Sequence, residues 1–128
     1  MTDRRSTGEA VRRAVLGDAH VDRSTAAGDG FDAPFRDLIT EGAWGTVWAS
    51  DRLPRRERSM LTLALLAGLG NLDEFALHVE ATQRTGATRE DIAEVLQHVA
   101  IYAGVPRANA ALKTAREVFA REDAACER

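Results

Sequence analysis

Residues 59–81 read SMLTLALLAGLGNLDEFALHVEA, two helix-forming segments joined end to end at Gly70 and Asn71. The first carries Met60, Leu61, Leu63, Leu65, Leu66 and Leu69 and is apolar on nearly every side; the second is amphipathic. The greasy run falls far short of the ~20 residues that span a bilayer, so it is a core helix rather than a membrane segment. A helix apolar nearly all round needs more cover than one small domain supplies, which predicts a homo-oligomer. On the second segment Glu74 and His78 stand four residues apart and so share a helical face.

The chain of 128 residues is long enough to bury a core without disulfides or metal staples. A formal net charge of −3 with no basic cluster argues against nucleic acid and anionic membranes as partners. The N-terminal MTDRRSTGEAVRR is charged and has no apolar h-region, so no secretory signal is expected and the cytoplasm is the natural compartment. The single cysteine, Cys126, excludes an intrachain disulfide, a Cys-rich metal site and a dithiol redox centre.

Residues 1–8 read as frayed. From Glu9, Val11, Val15 and Leu16 form one stripe that ends at Gly17, a short amphipathic helix. Residues 18–30 show no sustained period and read as a loop, yet this loop holds His20, Asp22 and Arg23. A helix is expected from Asp32, with Pro34 in its first turn and Phe35, Leu38 and Ile39 as its first apolar face. Trp44 and Trp48 follow one turn apart, in a half weakened and open to kinking by Gly42 and Gly45. Residues 51–54 break the helix.

Arg55, Arg56 and Arg58 then crowd the first turn of the next helix, where the macrodipole disfavours cations, which points to an anion nearby. Residues 85–87 form a turn, and Thr88 with Asp91 resembles a capping box. Ile92, Val95, Leu96 and Val99 mark the buried face of a helix that runs to Tyr102 and stops at Gly104. Pro106 opens a last helix with Ala108, Leu112, Ala115, Val118 and Phe119 on its face. The expected fold is all-α with about six helices.

The chemistry-bearing candidates are few. Glu74 sits three residues past Asn71, where it could close a capping box; paired with His78 it could instead orient an imidazole, the side chain whose ordinary titration lies near neutrality and suits a general acid or base. Glu94, His98 and Tyr102 share a second face, readable as a polar interface stripe or as a second acid. The three histidines have no close metal spacing, and neither a Gly-rich phosphate loop nor a G-x-S-x-G elbow is present.

The 71–78 frame, Asn71-Leu-Asp-Glu74-Phe-Ala-Leu-His78, resembles the core of the alkylhydroperoxidase-like superfamily, whose redox members carry C-x-x-C and a histidine at these positions. Both cysteine positions hold other residues, so no thiolate is available for peroxidase or disulfide chemistry. Counting back nineteen residues from His78, where the redox branch has a catalytic glutamate, reaches Ser59. Within the superfamily, AVRRAVLGDAHVDRS (10–24), WGTVW (44–48), RERSMLTLALLAGLG (56–70), FALHVEA (75–81) and IYAGVPRANAA (101–111) resemble the carboxymuconolactone decarboxylase family over almost the whole chain.

That resemblance implies a single stand-alone domain over 1–128 with an alkylhydroperoxidase-like helical fold, assembled as an obligate homo-oligomer, a trimer or hexamer. It implies conversion of the dicarboxylate 4-carboxymuconolactone to 3-oxoadipate enol-lactone and CO2, in the protocatechuate branch of the β-ketoadipate pathway, with neither cofactor nor metal. On that template His78 and Glu74 are the expected catalytic pair. Arg58 or Arg23 is the expected carboxylate anchor, and His20 and His98 are further substrate-binding candidates. A paralogue acting on another lactone or acid and a non-catalytic helical binding module are the alternatives.

Overall fold

The computed structural model describes residues 3–127, over which the chain is helical and forms no strand. Seven α-helices and one π-helical segment follow one another among these residues: α1 (Arg4–Leu16), α2 (Asp18–Ala27), α3 (Ala33–Ile39), the π segment (Thr40–Val47), α4 (Arg55–Leu69), α5 (Leu72–Thr85), α6 (Arg89–Tyr102) and α7 (Val105–Cys126). They fall into two compact units, residues 1–55 and 56–128. No helix among the described residues is long and apolar enough to cross a membrane.

In the first unit α1 packs on the π segment and on α2. Residues 1 and 2 of the stretch expected to fray lie outside the described residues, but from Arg4 onward the chain is helical. The Asp3 carboxylate caps this start by accepting from the Ser6 N–H at 2.6 Å, and Arg5 pairs with Asp37 at 3.2 Å. Val11, Val15 and Leu16 are buried as the stripe predicted.

Residues 18–27, expected as a loop, form α2. Gly17, at φ 87°, turns the chain directly from one helix into the next. With only Val21 buried, α2 has no apolar period to betray it. It is tied down by charge instead: Arg13 reaches Asp18 at 3.2 Å and Asp22 at 2.9 Å, and Arg12 donates to Ser24 Oγ at 3.1 Å. Asp22, foremost among these carboxylates, raises the Arg13 guanidinium further above its already high ordinary value.

Gly42 and Gly45 lie in the π segment, where the Trp48 N–H bonds to the Ala43 carbonyl, five residues back, at 2.8 Å. The irregularity serves a close approach. A Cβ on Gly8 would stand 2.1 Å from the Thr40 carbonyl oxygen, and one on Gly45 would stand 2.2 Å from the Arg4 carbonyl oxygen. The paired tryptophans, both buried, lie with ring centroids 5.3 Å apart. The expected apolar face of α3 is not buried: Phe35, Leu38 and Ile39 are exposed, because this seven-residue helix lies at the surface and buries no residue.

The second unit is built on Leu63 and Ala67 of α4, Phe75 and Val79 of α5, Ile92, Val95, Leu96 and Val99 of α6, and Ala108, Ala111, Ala115 and Val118 of α7. On α7 the small residue Ala111 takes the buried position and Leu112 the rim, so the face is turned from the expected one. Thr88 and Asp91 form the full capping box. Asp91 does double duty, because Arg56 of α4 grips it through two bonds of 2.8 and 2.6 Å.

Two tests follow from this packing. Gly8→Ala forces backbone apart, and its unfolding free energy is expected to fall by about 1–3 kcal/mol in urea titration; an unchanged midpoint would contradict the close approach. The Arg56 guanidinium, and then the Thr88 N–H, hold the Asp91 carboxyl well below the usual carboxylate range. A depressed folded value stabilises the fold above the unfolded value and stops doing so as pH falls through the folded one. Asp91→Asn is therefore expected to be less stable than the parent at pH 7, with the gap beginning to narrow below about pH 4 and closing only as pH falls through the depressed folded value; a gap as wide at about pH 2 as at pH 7 would count against it.

Candidate functional site

The α4 and α5 helices are joined through Gly70 and Asn71, and both contribute to one core. Along α4 the buried row is Ser59, Leu63 and Ala67, at i, i+4 and i+8. Along α5 it begins with the apolar Phe75 and continues with His78, Val79, Ala81, Thr82 and Thr85. His78, Thr82 and Thr85 stand at i, i+4 and i+7 and so share one stripe.

A buried face should be apolar, and this one is not. His78 is only 6% exposed and Ser59 is fully enclosed. The Thr82 hydroxyl donates to the Val79 carbonyl at 2.6 Å, a local bond that occupies its proton. The hydroxyls of Ser59 and Thr85 make no hydrogen bond among the described residues. Buried polar atoms are ordinarily bonded, and those left over mark places where water or a ligand's polar atoms complete the set.

Glu74 lies one turn before His78 and is exposed. Asn71 makes no side-chain cap, and among the described residues Glu74 takes part in no hydrogen bond or ion pair, so neither the capping box nor a Glu74–His78 bond is present. The two share a helix but differ in environment: the imidazole faces the core, the carboxylate the rim of a shallow depression lined by residues 70–74.

Arg58 is half-buried in the first turn of α4, directly before Ser59. The excess of arginine in that turn has a partial explanation inside the fold, since the anion that Arg56 meets is Asp91. His98 is exposed on α6 and stacks on Tyr102 at 4.8 Å between ring centroids, so it looks outward while His78 looks inward. In the first unit His20 is half-buried and Arg23 exposed, both on α2.

Sequence reasoning missed the buried hydroxyls of Thr82 and Thr85. The signal was available: threonines at i+4 and i+7 from a histidine extend its stripe. Chemically the arrangement offers one sheltered imidazole with hydroxyl groups along the same helix. That is an environment in which a proton can be given or taken away from bulk water.

The chain is 42% identical over 109 residues to the 4-carboxymuconolactone decarboxylase of Acinetobacter baylyi, covering 85% of this chain and 81% of that one. It is 41% identical over 96 residues to the nitrosuccinic acid decarboxylase npaB of Metarhizium robertsii, covering 75% and 67%. A further match, 50% identical over 42 residues, is to a 4-carboxymuconolactone decarboxylase of Pseudomonas putida, covering 33% of this chain and 88% of that one. The carboxymuconolactone decarboxylase family model matches residues 33–117, a span that includes the whole of α4, α5 and α6 and with them the buried polar stripe. This chain belongs to the carboxymuconolactone decarboxylase family.

Proposed function

We propose that the chain is a carboxy-lyase that converts 4-carboxymuconolactone to 3-oxoadipate enol-lactone and CO2 without a cofactor, in the protocatechuate branch of the β-ketoadipate pathway. The observation that carries the reading is the match to the Acinetobacter baylyi decarboxylase over most of both chains. The cytoplasm is its compartment, and a homo-oligomer, a trimer or hexamer, is its working form.

The substrate's own structure makes the reaction possible. The carbon that loses CO2 lies in the lactone ring, conjugated through a C=C bond to the ring carbonyl. When the C–C bond to the carboxylate breaks, its electron pair spreads into the ring as a dienolate, and charge collects on the lactone carbonyl oxygen. A proton then adds to the ring carbon beside that carbonyl, which gives the enol-lactone. No electrons are gained or lost overall.

The protein must supply a hydrogen-bond donor for the developing oxyanion, an acid for the ring carbon and a cation for the distal carboxylate. His78 is the acid or oxyanion donor, supported by its burial on the α5 stripe that it shares with Thr82 and Thr85. Glu74, exposed and unbonded to the imidazole, shapes the local field from the rim. Arg58 is the preferred anchor, because a half-buried guanidinium offers a preorganised fork for a carboxylate; Arg23 is the alternative, and His20 and His98 remain substrate-binding candidates. A strong cation on the departing carboxylate itself would stabilise the ground state and slow the reaction.

A second substrate is favoured by the Metarhizium robertsii relative. Nitrosuccinic acid also has a carbon that bears both a carboxylate and a carboxymethyl group, with a nitro group as the electron sink. Loss of CO2 would leave a nitronate, and protonation at carbon would give 3-nitropropanoate.

Both substrates can be put to the purified protein in one assay, which follows ultraviolet absorbance and CO2 release. Decarboxylation of 4-carboxymuconolactone well above the spontaneous rate is expected, with His78→Ala losing at least about 100-fold in kcat/KM while folded. Arg58→Met is expected to act mainly by raising KM. A folded parent that turns over neither acid would overturn the reading. Turnover of nitrosuccinate alone would move it to the second substrate, and a His78→Ala variant that keeps a tenth of parental kcat/KM would remove His78 from the chemistry.

A further inference from the structure

The second unit shelters one imidazole and few cations. His78 on α5 is 6% exposed. Among the described lysines and arginines of this unit, only Arg58 and Arg84 are partly withdrawn from solvent: Arg58 is half-buried, and the Arg84 side chain is 29% exposed. Arg84 forms an ion pair with Glu80 on its own helix, and the more exposed Arg56 and Arg89 meet Asp91 and Asp123. Arg58 stands instead directly before Ser59, which is fully enclosed.

Each of the two acids considered above carries two carboxylates, one more than a single sheltered cation can match. The two share one fragment, a carbon that bears the departing carboxylate and a CH2COO− arm, which is a succinate substituted at C2. They differ in the sink, an unsaturated lactone in one and a nitro group in the other. Both sinks end in an oxygen that gains charge as CO2 leaves and accepts a hydrogen bond. We infer that the site takes 2-substituted succinates as a class, with Arg58 on the CH2COO− arm and His78 serving the sink, so that the arm is specified and the sink is not. The inference rests on the proposed decarboxylation and names the part of the substrate that is read.

One sheltered cation suits this chemistry. On the arm, a guanidinium fork holds the substrate and leaves the departing carboxylate uncompensated, so the ground state gains no extra stability at the bond that breaks. The arm keeps its charge throughout, so Arg58 binds ground state and transition state alike and acts on KM. A hydrogen bond to the sink strengthens only as charge arrives there. An ordinary ketone is then a third usable sink. In 2-acetylsuccinate the bond from C2 to the departing carboxylate breaks, its electron pair moves onto the ketone oxygen as an enolate, and a proton adds at C2. The products are CO2 and 4-oxopentanoate, with no electrons gained or lost.

The test compares 2-acetylsuccinate with 2-ethyl-3-oxobutanoate, whose arm is an uncharged ethyl group, on the purified full chain, with CO2 release corrected for the spontaneous rate. The parent is expected to turn over 2-acetylsuccinate well above that rate and to lose at least about 100-fold in kcat/KM on the ethyl compound. Arg58→Met, folded by circular dichroism, is expected to cut the preference to within about tenfold by raising KM for 2-acetylsuccinate, and Arg58→Lys to restore part of it. The comparison of the two acids needs no variant, so it decides the matter even where Arg58→Met fails to fold. Turnover of 4-carboxymuconolactone with 2-acetylsuccinate left at the spontaneous rate overturns the inference and leaves the proposed decarboxylation standing. Equal turnover of the two keto acids, or a preference that a folded Arg58→Met keeps intact, overturns it too. A folded parent idle on the lactone and on nitrosuccinate fails the earlier reading, and the inference falls with it.

Discussion

A helix that buries an imidazole must be held by its neighbours, because a sheltered polar group costs stability wherever its bonds are incomplete. In this chain that helix is α5, and the cost falls on Thr85 of its buried stripe and on Ser59 of α4, whose hydroxyls make no hydrogen bond among the described residues. Leu63, Ala67, Phe75 and Val79 offset it in the same pair of helices, and α7 closes over α5 with small residues, Ala108, Ala111 and Ala115, that let the backbones come near. Such a stripe would weaken a purely structural core. It becomes intelligible where a polar ligand completes the hydrogen bonds.

Around that stripe the second unit is fixed largely by charge at its helix ends. Arg56, Asp91 and Thr88 join the start of α4 to the start of α6. At the far end of α7, Arg89 bonds to Asp123 at 2.8 Å and lies over the Phe119 ring at 4.3 Å. Exposed pairs of this kind contribute little one at a time. Their value here is positional, since each fixes where a helix begins and so which residues of that helix face the core.

Periodicity carried most of the fold. The stripes of α1 and α6 were legible because apolar residues repeat at helical spacing, and the Thr88–Asp91 capping box because its two residues suffice to define it. What escaped has a physical reason in each case. The α2 helix buries only Val21 and is held by Arg12 and Arg13 of a different helix, a tie that no local window contains. The glycines of the π segment looked like weakness because their benefit, the approach of Arg4 and Thr40 backbone, lies across the sequence. The expected face of α3 was apolar in sequence, yet Phe35 and Leu38 stay open to solvent because this short helix lies at the surface. At the site, helical spacing put Glu74 and His78 on one face but did not reveal that one is exposed and the other buried.

The central claim is that the chain delivers the proton that follows CO2 loss from a sheltered acid rather than leaving this to water. Turnover of 4-carboxymuconolactone in D2O, with the product read by NMR, tests it most directly. The account predicts a single deuterium at the ring carbon beside the lactone carbonyl, on one face only, and loss of that facial preference in His78→Ala. Label divided equally between the two faces by the parent enzyme would contradict it.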